Sequence, residues 1–336
     1  MGFKQILLIL PPVFWPKMPP IGLGYLQSYL SQNGIGSEIL DLNNIFYNLV
    51  DNHLKKEWLI SCNLCLEKNI LKLIQNNQYR KYCEVINKIL EFDVIGFSCF
   101  KSNFQAALEI IRVIKSQRKD LKIILGGPEI TRQFFEGKGR FDQEITRLVD
   151  LLVVGEGERP LYDYLSGRRI TGKISTFAQV ESLSELTFPK YRGVDFNLYP
   201  RKDTLSVQFS RGCIRKCSFC SERLLYQGFR VREVNSVIDE IRYHKKNNRI
   251  NYFVFFDSLI NGDLVQLEIL CDEIINNFGT INWEAQIAVR DDMREEIFAK
   301  MKKSGCYNLF VGLESGSDRT LKRMNKGFTV EQAADF

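Results

Sequence analysis

The sequence predicts an α/β protein, a doubly wound parallel sheet followed by a partial β/α barrel. Short apolar runs of strand length alternate with helically spaced segments along most of the chain. The rhythm fails over residues 166–203, where Gly167, Gly172, Pro189, Gly193 and Pro200 fall, and then restarts. At 336 residues the chain also exceeds what one ordinary core accommodates.

Gln5–Leu10 is a continuous apolar run of strand length. Ile21–Gln32 follows with helical spacing and stops at Asn33-Gly34, a C-terminal signal. Ser37–Leu42 reads as a second strand. Residues 43–91 are rich in Leu, Ile, Asn, Lys and Glu, and two or three inserted helices are expected there. Strands resume at Asp93–Phe100 and Lys122–Leu125, around the amphipathic Phe104–Ser116. Leu151–Val154 is the last strand of a first domain over 1–165, and it leads into a helix that tolerates Pro160 in its first turn. Residues 166–203 are expected to be a linker. The second domain, 204–336, offers strands at Leu205–Phe209, Tyr252–Phe256, Trp283–Val289 and Leu309–Leu313, with helices at Val234–Lys246, Leu264–Asn276 and Arg294–Lys302 between them.

Composition narrows the class. Hydrophobic residues at 45% and charged residues at 26% are ordinary for a globular protein, and a net charge of +6 is mild. The basic run Arg242–Arg249 reads as a solvated helix end, so no nucleic-acid partner is expected. The apolar opening Phe3–Leu10 stops at Pro11-Pro12, far short of the roughly 20 residues a spanning helix needs. It has no small-residue cleavage site. A cytoplasmic location is therefore expected, with the nine cysteines as thiols or metal ligands.

Cys213, Cys217 and Cys220 stand in a C-x3-C-x2-C spacing directly after a predicted strand. Thiolates this close in sequence can share one small inorganic cluster without closing a long loop. Three ligands for four irons leave one iron open to chemistry. A zinc ribbon or a chance triplet is the alternative, but a zinc site needs a fourth ligand, and the next cysteine is Cys271. Cys62 and Cys65 form a C-x2-C without a neighbouring ligand pair and are expected to be packing residues. Cys83, Cys99, Cys271 and Cys306 read as small buried hydrophobes.

The spacing, with Phe219 in the aromatic place of C-x3-C-x-aromatic-C, resembles the radical S-adenosylmethionine superfamily. Ser210-Arg211-Gly212 resembles the lead-in of its cobalamin-associated branch. The resemblance implies a [4Fe–4S] cluster on Cys213, Cys217 and Cys220. It also implies S-adenosylmethionine contacts from Phe219, from Asp257 in Phe255-Phe-Asp-Ser258, from Arg290, and from Glu314 and Ser315 in Gly312-Leu-Glu-Ser-Gly-Ser317. Polar groups at strand ends are what a β/α barrel site requires, although Asp257 and Arg290 could equally cap strands or form ion pairs.

In the first domain, ligands of a doubly wound sheet bind at the strands' carboxyl ends. Ser98, Gly126, Gly127, Gly155 and Glu156 fall there and resemble the lining of a cobalamin pocket, while tight turns would use the same glycines. The fold is thus expected to be Rossmann-like, of cobalamin-binding type. The loop Pro11–Met18 lacks the histidine that many cobalamin domains place on cobalt, and the two histidines, His53 and His244, lie elsewhere. Cobalamin is expected without a histidine axial ligand.

The resemblance implies reductive cleavage of S-adenosylmethionine to a 5′-deoxyadenosyl radical, fed by an external flavodoxin- or ferredoxin-type donor, with cobalamin-dependent methyl transfer to an unactivated carbon. A radical cyclase or rearrangement enzyme without functional cobalamin is the alternative, as is a non-catalytic iron–sulfur protein that binds or senses redox state. No catalytic side chain and no substrate can be assigned. Four strand–helix units follow the linker where about six are usual in the family, so a fragment with an unprotected fourth strand is expected.

Overall fold

A computed structural model describes residues 2–64, 70–168 and 172–336; Cys65 lies outside them. The chain divides into two compact units, Met1–Val180 with Pro189–Lys202, and Glu181–Phe188 with Asp203–Phe336.

The first unit is built on five parallel strands: β1 Gln5–Leu10, β2 Gly36–Asp41, β3 Val94–Ser98, β4 Lys122–Gly126 and β5 Leu151–Leu152. Their spatial order is β2-β1-β3-β4-β5, with the first strand inside the sheet. Alternation along β1 explains why. Leu7 and Ile9 pack into one apolar cluster, and Ile6, Leu8 and Leu10 into the other. A strand buried on both faces must be apolar throughout and needs helices on each side. Each such side chain contributes at most about 1.5–3 kcal/mol.

Residues 43–91 hold more helix than expected. Four helices are seen among the described residues: Leu42–Tyr47, Asn52–Leu64, Ile70–Asn77 and Tyr79–Leu90. The first begins immediately because Asp41, at the end of β2, accepts the Asn44 N–H at 2.9 Å as an N-cap. The second is anchored by the fully buried Trp58, whose indole N–H reaches Phe14 O (3.1 Å) and Asn43 Oδ1 (3.0 Å).

The 166–203 stretch, expected to link two domains, is largely built into the first unit. Strand β5 is only two residues long and leaves backbone groups open on its outer side. Residues 173–178 satisfy them: Leu152 N donates to Lys173 O, Ser175 N to Leu152 O, and Ala178 N to Val154 O. Farther on, Gln27 exchanges hydrogen bonds with the Arg192 backbone, and the Tyr199 hydroxyl donates to buried Asp41 at 2.6 Å. Glycines and prolines in this stretch mark turns of a strap, which sequence alone cannot tell from a tether.

The second unit carries β6 Thr204–Val207, β7 Ser210–Arg211, β8 Arg230–Val231, β9 Tyr252–Phe255, β10 Asn282–Ile287 and β11 Cys306–Val311. Four are parallel in the order β11-β10-β9-β6. Helices Val234–Asn247, Leu264–Phe278 and Glu295–Ser304 make the crossovers. The fourth strand starts three residues earlier than expected and lies at an edge, with Tyr307, Phe310 and Val311 exposed. Two short helices, Asp318–Met324 and Val330–Asp335, follow it. The basic run is solvated at Arg242, Lys246 and Arg249, but His244 is fully buried and its Nδ1 meets Asn248 Nδ2 at 2.7 Å. Cys62, Cys99 and Cys271 are buried as expected, whereas Cys83 and Cys306 are only partly so.

Gly155 is a sensitive point of the first unit. Its φ is +84°, and a methyl group there would lie 2.3 Å from Ala178 O. Gly155→Ala should cost roughly 2–3 kcal/mol. It should also expose 173–180 to protease, as read from denaturant midpoints and from cleavage sites by mass spectrometry.

Candidate functional site

Strand β6 delivers the chain to the carboxyl end of the second sheet, and Asp257, just beyond β9, fixes where it goes next. The buried Asp257 carboxylate accepts the Phe209 N–H at 3.2 Å and both the N–H and hydroxyl of Ser210. Antiparallel pairing of β7 with β8 then closes the cysteine-bearing segment into a hairpin-ended loop, which sequence reading missed because each strand is two residues long. Gly212 sits at its neck with φ +88°, and a methyl group there would lie 2.0 Å from Gly228 O. Only glycine lets the two arms approach this closely. Behind the neck, the buried Arg232–Glu240 ion pair, with Arg232 also donating to Gln208 O at 3.0 Å, pins β8 to helix Val234–Asn247.

The loop carries three thiols at different depths. Cys217 is buried, Cys213 and Cys220 partly so. The Cys220 N–H donates to Cys217 O, and the Arg215 N–H donates to Cys213 Sγ, each at 3.3 Å. Burial pushes the Cys213 and Cys220 thiols up from their ordinary range, and negative charge on the neighbouring cysteines adds to the rise.

Among the described residues, no three His, Cys, Asp or Glu side chains converge on a single ion. A four-ligand zinc ribbon would need a further side chain beside the three thiols. A cluster asks for something different, one thiolate per iron, and three thiols without a fourth ligand suit a [4Fe–4S] cluster with one open iron. The Arg215 Nε–H, buried and without an acceptor among the described residues, is a spare donor beside them.

Three of the five residues expected at S-adenosylmethionine lie together on the loop side of the sheet. Phe219 is exposed, and the Lys326 ammonium stands 5.7 Å from its ring centre. The same ammonium is 3.6 Å from the Glu314 carboxylate. Glu314 has φ +67°, a conformation that a non-glycine residue holds only under constraint. Ser315 Oγ accepts the Ser317 N–H at 3.2 Å and so shapes that turn. Lys326 is itself buried and was missed from sequence, since nothing in Asn325-Lys-Gly327 marks it as more than a helix end. Its charge lowers the Cys220 thiol against the larger effect of burial.

Asp257 and Arg290 are differently engaged. Asp257 anchors the loop, the capping role open to it from the start. Arg290 donates through Nη1 to Asn261 O (2.8 Å) and Gly262 O (2.9 Å), and through Nε to Asp292 (2.7 Å). Its donors thus brace the loop after β9.

In the first unit, Ser98 and Gly126 sit opposite each other in register at the carboxyl ends of β3 and β4. Gly127 follows with φ +97°, where a methyl group would lie 2.8 Å from the Cys99 backbone. The loops around them are braced by Ser102 Oγ to Val13 O (2.8 Å) and Asn103 Nδ2 to Pro11 O (3.2 Å). Gly155 and Glu156, expected in the same pocket, are taken up by the strap instead. Glu156 N donates to Ala178 O, and the Glu156 carboxylate accepts the Val180 N–H at 2.5 Å. Close backbone approach thus already requires the glycine at Gly127, as it does at Gly155, and the Glu156 carboxylate is engaged with the Val180 N–H. His53 is exposed on the insert helix Asn52–Leu64.

A cysteine-loop β/α sheet and a doubly wound sheet with a small-residue rim define the class: a two-unit cofactor enzyme. Family models agree. The Radical SAM superfamily model matches residues 207–336, and the B12 binding domain model matches 70–165. The chain thus pairs a Radical SAM domain with a B12 binding domain. An uncharacterised methyltransferase of Pyrococcus horikoshii is 24% identical over all of this chain and 71% of its own length. A bacteriochlorophyllide d C-12(1)-methyltransferase of Chlorobaculum tepidum is 30% identical over 70% of this chain and 51% of its own. Among solved structures, the methyltransferase TsrM of Kitasatospora setae superposes with TM-score 0.72 at 19% identity, covering 99% of this chain and 64% of its own. OxsB, a cobalamin-dependent S-adenosylmethionine radical enzyme, gives 0.70 at 20%, covering 98% and 46%. Likeness at this identity shows the fold. The chain spans about half the length of OxsB and of the Chlorobaculum enzyme. Among the described residues, no helix is long and apolar enough to cross a membrane.

Burial raises the Asp257 carboxyl from its ordinary 3.8 to about 7. Between those values the folded chain holds a proton that the unfolded chain releases. Stability should therefore fall as pH rises through this window and level off above about 7. Thermal midpoints of the metal-free chain, taken across that range, should show the fall. Asp257→Ala should flatten it while lowering every midpoint, because two backbone N–H groups lose their acceptor.

Proposed function

We propose that this chain carries out reductive cleavage of S-adenosylmethionine and, with cobalamin, methylates an unactivated carbon of its substrate. The observation that carries this reading is the closed loop that bears Cys213, Cys217 and Cys220, with Lys326 linking its Phe219 to Glu314. A [4Fe–4S] cluster held there would supply the reducing power for this chemistry, and bound cobalamin would supply the methyl group. The chain's own residues bind and orient. Cys213, Cys217 and Cys220 would hold the cluster through their thiolates, with no fourth side-chain ligand from this loop. Lys326 offers positive charge toward a carboxylate, Glu314 and Ser315 offer acceptors, and Phe219 offers an apolar face.

Ser98, Gly126 and Gly127 are the proposed cobalamin contacts, without a histidine on cobalt. An external flavodoxin- or ferredoxin-type protein is the proposed electron donor, and a cytoplasmic location, where thiols stay reduced, is proposed with it. A second reading keeps the radical step but closes a ring instead of adding a methyl group. It is favoured by a relative named as an anaerobic magnesium-protoporphyrin IX monomethyl ester cyclase from Rubrivivax gelatinosus, 23% identical over 72% of this chain and 47% of its own length.

Anaerobic reconstitution with iron, sulfide, dithionite and S-adenosylmethionine tests the core of the proposal. 5′-Deoxyadenosine should form, and its absence from a preparation with an intact cluster spectrum would overturn both readings. Cys217→Ala leaves two thiols and should abolish the cluster absorbance. Cobalamin added to the chain should shift its corrinoid spectrum; an unchanged spectrum would remove the methyl-transfer version.

A further inference from the structure

Arg215 stands between the first two cysteines and spends its donors in an unusual way. Its backbone N–H goes to Cys213 Sγ at 3.3 Å. Its Nη1 donates to Gly327 O at 2.8 Å and its Nη2 to Val289 O at 2.5 Å. Those acceptors lie 112 and 74 residues away in sequence, on the turn after helix Asp318–Met324 and on the loop after β10.

The turn holds the loop in return. Ser218 N donates to Met324 O at 2.9 Å, Asn325 Nδ2 donates to Lys216 O at 2.9 Å, and Lys326 sits over the Phe219 ring. Residues 215, 216, 218 and 219 are thus each gripped from outside the loop, and the cysteines lie between and beside them. The turn is shaped for this. Asn325 takes the left-handed conformation, φ +55°, that ends the helix. Gly327 has φ +76°, and a methyl group there would lie 2.4 Å from Arg215 Nη1.

We propose that Arg215 and the Met324–Gly327 turn form a clasp that positions the cysteine loop to retain its cluster. Arg215 and Asn325 are positioning residues in this assignment, acting through the backbone that carries the thiols. The inference rests on the reading that Cys213, Cys217 and Cys220 hold a [4Fe–4S] cluster. The physical basis is that the loop residues flanking the cysteines have little regular structure of their own, so the spacing of three thiolates depends on bonds from elsewhere. A planar fork that reaches two carbonyls is a task for arginine; lysine keeps the charge but has no such fork.

The test compares the reconstituted wild-type chain with Arg215→Lys and Asn325→Gly. Arg215→Lys keeps the positive charge, and Asn325→Gly keeps the left-handed turn while deleting its side-chain bond. Iron loss to an excess of chelator, followed anaerobically by the cluster's visible absorbance, should be about tenfold faster or more in both variants. Thermal midpoints of the metal-free variants should stay close to wild type. Wild-type rates of iron loss in either variant would overturn the clasp, and in Arg215→Lys they would assign the effect to charge instead. Faster loss matched by a large fall in the metal-free midpoint would also overturn it, as general loosening. A wild-type chain that takes up no cluster would overturn the cluster reading, and the clasp with it.

Discussion

The Asp257 carboxylate, buried beyond the end of β9, accepts hydrogen bonds from Phe209 and Ser210 just where β6 hands over to the cysteine loop. This cross-strand anchor sets the direction in which Cys213, Cys217 and Cys220 are presented. A buried carboxylate is costly unless its oxygens are satisfied, and here the donors come from the backbone it must position. The neck at Gly212, the β7–β8 pairing and the Arg232–Glu240 pair all lie downstream of that anchor. Each would have a different partner if the chain left β6 at another angle.

The two units solve the same problem by different means. A parallel sheet ends with open carboxyl-side loops, and something must hold those loops in one arrangement to make a site. In the first unit the holding is done by side chains of the sheet's own loops and insert: Asn103, Ser102, Asn43 and Trp58. In the second unit it is done by residues far along the chain, with Arg215 reaching Val289 and Gly327. Lys326 belongs to both the brace and the site, since its ammonium meets Phe219 on one side and Glu314 on the other.

Much of the architecture was legible because parallel β/α structure leaves strong periodic marks. The apolar run Gln5–Leu10 and the later strand-length runs were placed within a few residues, and the cysteine spacing pointed to its chemistry directly. Less legible were features that depend on two distant segments. Gly155 and Glu156 looked like ligand contacts because glycine at a strand end serves a ligand or a packed backbone equally well. The backbone here is that of Ala178 and Val180. Arg290 and Asp257 were ambiguous for the same reason, and the structure shows their hydrogen bonds bracing the loops after β9 and β6.

What the sequence determined by itself is therefore local: which residues form strands and helices, and that three thiols fall at one short spacing after a strand. Periodicity and short spacing are properties of contiguous residues, so they survive without knowledge of the fold. The tertiary structure alone decided which polar groups remain free for a ligand. Whether Glu156 faces a cofactor or the Val180 N–H, and whether Lys326 lies beside the cysteine loop, depends on partners more than twenty residues away. A side chain's chemistry becomes a function only after the fold has settled which of its hydrogen bonds are already spent.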